Sequence, residues 1–146
     1  MTTTSLPAPH PSVQPTRPST RRLVRSGAFA GAIAAVGTTL VAVVASAADV
    51  SLDVDAIAIP IPSFAWWTLI GAALGVVLAR LLRERRRFVV VTTAAAGLSL
   101  VPAIVAPDHT ATKAVLVGAH VLAAAVIIPT LSRQLTAAPG GWSGRR

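Results

Sequence analysis

The sequence predicts an all-α fold, a four-helix transmembrane bundle running up-down-up-down between disordered N- and C-terminal tails. Three observations carry this expectation. Of 146 residues, 53% are apolar and only 12% charged, against about a quarter charged in soluble domains; one soluble core of this size cannot hide so much apolar surface. The apolar residues gather in four uncharged stretches of spanning length, about 20 residues each. The basic residues gather at alternate ends of those stretches. With no water in the hydrocarbon region, the backbone must satisfy its own hydrogen bonds, so the spans should be helices.

Residues 1–22 hold Pro7, Pro9, Pro11, Pro15 and Pro18 among Thr and Ser, with little to bury. They read as a disordered, basic tail. No residue between Arg25 and Asp49 is charged, and 27–48 is long enough to cross about 30 Å of hydrocarbon at about 1.5 Å per residue. A competing reading exists for this first span. Arg21-Arg22 before an apolar run, followed by Ala45-Ser46-Ala47, resembles a secretory signal with a small-residue cleavage site. Its apolar run exceeds the usual signal length and further spans follow, so retention is expected.

Between the first two spans, Val50, Leu52 and Val54 alternate with Ser51, Asp53 and Asp55. The alternation predicts an extended segment resting on the membrane surface. Pro60 and Pro62 lack an N–H, which places the start of the second span at about Ser63 and the span at 63–82. Trp66 and Trp67 near its start read as belt anchors. Spans three and four fall at 88–105 and 112–131, with Pro102 and Pro129 expected to kink or end them early. Asp108 is the expected N-cap of the fourth. Residues 136–146 form a second loose, disordered tail, so the spanning domain is 23–135.

All but one of the 13 basic residues lie on one side of this threading, and four of the five acidic residues on the other. Arg80, Arg83, Arg85, Arg86 and Arg87 crowd the loop after span two, whereas Lys113 alone sits with the aspartates. By the positive-inside rule both termini are cytoplasmic in a plasma-membrane protein. The arginine loop reads as a topology determinant that could also meet anionic lipid headgroups. It contains no aromatic stacking platform, so nucleic acid is not an expected partner.

Within the spans, Gly27 with Gly31 and Gly71 with Gly75 have the spacing that lets membrane helices approach closely. Such pairs serve contacts within the chain, the favoured reading here, or a homo-oligomer or membrane-protein partner. His120 is the titratable side chain well inside a span, and Ser99 lies at similar depth on the preceding, antiparallel span. A Ser99–His120 hydrogen bond across the helices is therefore expected as an intramembrane polar pair. His109, Lys113, Leu116 and His120 share a helical face, which could line a polar recess. No span contains Asp or Glu, and no cysteine, phosphate loop, metal-ligand cluster or Ser-His-Asp order occurs. Neither an enzyme nor a bound cofactor or metal is expected. The reading is a small structural or interaction protein of the membrane; the alternative is an oligomeric small-molecule or ion pathway near His120 and Ser99.

Leu98-Ser99-Leu100-Val101-Pro102, the stretch Asp108 to Thr112, His120 in mid-helix and Ile128-Pro129-Thr130-Leu131-Ser132-Arg133 together resemble a family of small four-helix membrane proteins from GC-rich bacteria, a domain of unknown function. The similarity covers residues 22–135 in layout. It implies an integral plasma-membrane protein with the first span retained, and no activity or ligand.

Overall fold

The computed structural model describes residues 20–54 and 57–135. Its elements are helix α1 (Thr20–Ala47), strands β1 (Asp53–Val54) and β2 (Ile57–Ala58), and helices α2 (Pro62–Leu82), α3 (Arg85–Val105) and α4 (Thr110–Ser132). All four helices are long and apolar enough to cross a membrane. The expected tails at 1–19 and 136–146, and Asp55, lie outside the described residues.

Each helix is longer than its expected span. Residues 20–22, expected as tail, instead form the first turn of α1, which reaches 28 residues. Arg is a good helix former, so a charge marks where the apolar span stops and not where the helix stops. At about 1.5 Å per residue α1 is about 42 Å long, so its arginine-bearing turn projects beyond a hydrocarbon core of about 30 Å. Leu23 in that turn is buried against the bundle. Helix α1 ends as Asp49 adopts φ 57°, and the Val50 N–H returns to the Ala45 carbonyl at 3.0 Å. That bond satisfies a carbonyl the helix would otherwise leave open, and Asp tolerates the left-handed conformation better than most residues.

Helix α2 begins with Pro62 at its first position, where the missing N–H costs nothing. Arg83, at φ 49°, and Glu84 alone join α2 to α3. Glu84 is extended, its carbonyl accepts the Phe88 N–H at 2.9 Å, and its Oε2 meets Arg87 Nε at 2.8 Å. Helix α4 is preceded by extended His109, whose carbonyl accepts the Lys113 N–H. The cap is therefore one residue later than the expected Asp108, with no side-chain cap bond. Helices α3 and α4 do not stop at Pro102 and Pro129; each continues to Val105 and Ser132. A proline near a helix end has less than a turn of ladder left to break.

The buried face of α1 is a stripe of small residues: Gly27, Ala30, Gly31, Ala34, Ala35, Thr38, Ala42 and Ala45. Helices α2 and α4 lie against it, and α3 packs mainly on α4. At the stripe's middle Thr38, itself 1% exposed, meets Thr68 of α2 with hydroxyl oxygens 3.0 Å apart. At the basic end Leu23, Ala79, Phe88, Ile127, Leu131 and Leu135 close one apolar cluster.

At the acidic end the extended segment that the alternation predicts is folded back on itself as a hairpin. Its strands pair antiparallel, Asp53 with Ala58 and Val54 with Ile57. Leu52, Ile59 and Ile61 pack over Ala42, Phe64 and Ala119. The fully buried Thr112 donates its hydroxyl to the Ser51 carbonyl at 2.5 Å, tying the loop to α4. The loop half-buries Leu52, Ile59 and Ile61 on the bundle because that apolar surface is adjacent, while Ile57 stays exposed.

The two glycine pairs are unequal. A Cβ on Gly27 would collide with Val76 Cγ2, one on Gly31 would lie 2.8 Å from Ala72 Cβ, and one on Gly75 3.1 Å from Leu131 Cδ1. Gly71 has nothing within 4 Å. Gly27→Val should therefore destabilise the bundle by about 1 to 3 kcal/mol through overpacking, whereas Gly71→Val should stay within about 0.5 kcal/mol of wild type. Unfolding in mixed detergent micelles measures both, and equal effects would reject this placement of the helices.

Candidate functional site

The polar residues of the spans divide by what they bond. His120 is exposed, about 15 Å along α4 from its start and near mid-helix. Its Nδ1 lies 2.8 Å from the Leu116 carbonyl one turn earlier. A carbonyl can only accept, so Nδ1 carries the hydrogen, and in the tautomer that makes this bond Nε2 is the acceptor. Ser99, also exposed, donates to the Ala96 carbonyl at 2.7 Å.

The expected Ser99–His120 bond is therefore not made. A hydroxyl or imidazole on a helix can reach a carbonyl three or four residues back, and that local bond removes the need for a partner on a neighbouring helix. His120 lines an apolar groove between α3 and α4, of about 450 Å³, with Thr93, Gly97, Leu100 and Ala125 also at its surface. Ser99 does not line it.

The expected polar recess along His109, Lys113, Leu116 and His120 is not formed either. Leu116 packs into the acidic-end cluster with Phe64 and Ala119, and this interrupts the stripe between exposed His109 and exposed His120. Lys113 is half-buried beside it. A second open groove, lined by Leu40, Val44, Ala48, Val50 and Val115 among others, is apolar and touches neither His109 nor Lys113.

Arg80, Arg83, Arg85, Arg86 and Arg87 are all exposed around the α2–α3 turn, with Arg21, Arg25 and Arg133 at the same end of the bundle. Of the five, Arg87 has the carboxylate partner, Glu84. The cationic groups stand clear of the bundle and can meet an anionic surface. At the opposite end Trp66 and Trp67, 65% and 68% exposed, sit in the first turns of α2, where an aromatic belt would place them. Among the described residues no group of three or more His, Cys, Asp or Glu could hold a metal ion.

Three threonines that the sequence did not single out make the polar ties between elements: Thr38 with Thr68, and Thr112 with the loop. For Thr38 a signal existed, since it stands in the small-residue stripe at helical spacing from Gly27, Gly31 and Ala42. A hydroxyl on such a stripe faces the neighbouring helix. For Thr112 there was none.

Four helices of spanning length and composition, a hairpin over one end and arginines at the other, define a multi-pass membrane protein. The chain belongs to a family of unknown function, DUF6069, which matches residues 18–137. No curated protein and no solved structure matches it.

Because Ser99 and His120 each bond their own helix, their substitutions should act independently. The stability losses of Ser99→Ala and His120→Ala should add in the double variant to within about 0.3 to 0.5 kcal/mol. A larger coupling in a double-mutant cycle would reinstate a bond between them.

Proposed function

We propose that the protein is a small structural or interaction protein of the plasma membrane, with no catalytic step of its own, that presents the α3–α4 side of its bundle to a membrane partner. The observation that carries this reading is what α3 leaves uncovered. It is as apolar as its neighbours, yet buries only Phe88, Thr92 and Ala103. The uncovered surface of α3 and α4 holds Gly97, Ser99, Gly118 and His120 among the larger apolar residues. A Cβ on Gly97 or Gly118 would meet nothing within 4 Å. Small and polar residues mark surfaces where membrane helices meet protein, since acyl chains gain nothing from either.

In the proposed orientation both termini and the arginine turn are cytoplasmic, and the hairpin faces outward, following the basic excess at one end. The exposed arginines then lie against the anionic leaflet. Helix α1 is retained in this reading, because its stripe is the surface against which α2 and α4 pack. An oligomeric pathway is the second reading. The open side of the groove at His120 is what such a pathway would use, with a second copy of the chain set against it.

Orientation is tested by cysteine labelling, for which the chain offers a background free of thiols. Ser51→Cys should react with an impermeant maleimide on intact cells, and Arg86→Cys only after permeabilisation; the reverse pattern would invert the topology.

The interaction reading is tested with a photo-cross-linking residue placed at Leu98 of α3, 74% exposed, or at Phe29 of α1, 68% exposed. Leu98 should yield one discrete protein product in native membranes and Phe29 only lipid adducts. A product containing two copies of the chain supports the pathway reading, and lipid adducts from both positions reject a partner on α3.

A further inference from the structure

We infer that the groove between α3 and α4 holds the dihydroxylated ring of a lipid-soluble quinol, with His120 Nε2 accepting one ring hydroxyl. The inference goes beyond the interaction reading and does not rest on it. Three features of the groove converge on this chemistry.

The first is depth. His120 lies about 15 Å from the start of a 23-residue spanning helix, in the apolar middle of a bilayer. An occupant must reach that depth through lipid.

The second is hydrogen-bond complementarity. The Nδ1 bond to the Leu116 carbonyl fixes the ring and leaves Nε2 an acceptor with no protein partner among the described residues. Pro129 has no N–H to give the Ala125 carbonyl, and both residues line the same groove further along α4. An unmet acceptor in hydrocarbon is costly. Acyl chains offer no hydrogen to either. A quinone has carbonyls only, whereas a quinol offers two hydroxyl donors on opposite sides of one ring. Across the groove, the Thr93 hydroxyl also has no protein partner among the described residues and can donate to a ring oxygen.

The third is shape. Small residues, Ala96, Gly97 and Ala124, line a slot of about 450 Å³ that Leu100 and Ile128 help to wall. A flat ring fits such a slot.

The test is equilibrium binding of a tritiated decyl-tailed benzoquinol to the purified full chain in nanodiscs under anaerobic conditions, compared with its quinone and its dimethyl ether. Saturable binding of the quinol at least tenfold tighter than that of the other two is expected. His120→Ala should weaken it at least tenfold. Gly97→Leu should fill the slot and abolish it, while Gly71→Leu, equally open in the structure, should leave it unchanged. Unfolding midpoints of the variants separate loss of the site from loss of the fold. Equal binding of the three compounds would overturn the assignment, as would a quinol affinity indifferent to both His120→Ala and Gly97→Leu. A self-associated dimer that His120→Ala dissolves would hand the groove to a second copy and equally overturn it.

Discussion

Close approach of helix backbones along the small-residue stripe of α1 is the constraint on which the rest of the bundle depends. In lipid the hydrophobic effect does not draw helices together, because acyl chains are as apolar as leucine. What remains is dispersion, each atom pair contributing about 0.1 to 0.2 kcal/mol only near contact distance. A stripe of Gly and Ala lets many such pairs form at once. Val76 fills the space over Gly27, Leu122 lies against Gly37, and Leu131 sits between Gly27 and Gly75, so one side chain of α4 touches both helices of the α1–α2 pair. The fully buried Leu131 thus joins three helices at one point.

The two ends of the bundle solve different problems with different means. At the basic end the connection is two residues long, so α3 must turn straight back beside α2, and the αL conformation of Arg83 makes that possible without a glycine. Phe88, completely buried, then anchors the start of α3 within the basic-end cluster. At the acidic end a longer loop has backbone groups to satisfy. It pairs them in a short hairpin, sends the Ile59 N–H to the Leu52 carbonyl at 2.7 Å, and gives the Ser51 carbonyl the Thr112 hydroxyl.

The existence, order and approximate extent of the four helices were legible in the sequence, since hydropathy and prolines mark where a span must lie. Rotation of each helix about its axis was not. In a soluble protein the polar face of an amphipathic helix gives the rotation away. Here both faces of α3 and α4 are apolar, and hydropathy says nothing about which side packs. Small residues were the remaining cue, and they worked where they were dense. On α1 they run the length of the helix and name its buried face, whereas the Gly71–Gly75 pair of α2 puts one glycine against Leu131 and the other in the open. The spacing reports a capacity for close approach, and only the packed bundle decides which residues use it. Alternation predicts an extended chain without saying what it lies against, so the packing of the hairpin beside Phe64 and Ala119 was not legible.

The candidate site was half legible for a related reason. His120 and Ser99 stood out as polar residues at depth, but a polar side chain on a helix has a partner close at hand in its own backbone. Thr39, Thr92 and Thr130 each donate to the carbonyl four residues back, at 2.7, 2.6 and 2.6 Å, as Ser99 and His120 do over three and four residues. Depth in the membrane therefore does not by itself brace one helix to another. Bracing takes a hydroxyl held where the neighbour is already within reach, which is the case for Thr38 in the α1 stripe and Thr112 beneath the loop. A hydroxyl has one hydrogen and its local bond uses it, so Ser99 is closed as a donor. The imidazole has two ring nitrogens and its local bond uses one. Each keeps an acceptor in the apolar layer, Ser99 on its hydroxyl oxygen and His120 on Nε2, and of the two it is His120 that lines the α3–α4 groove.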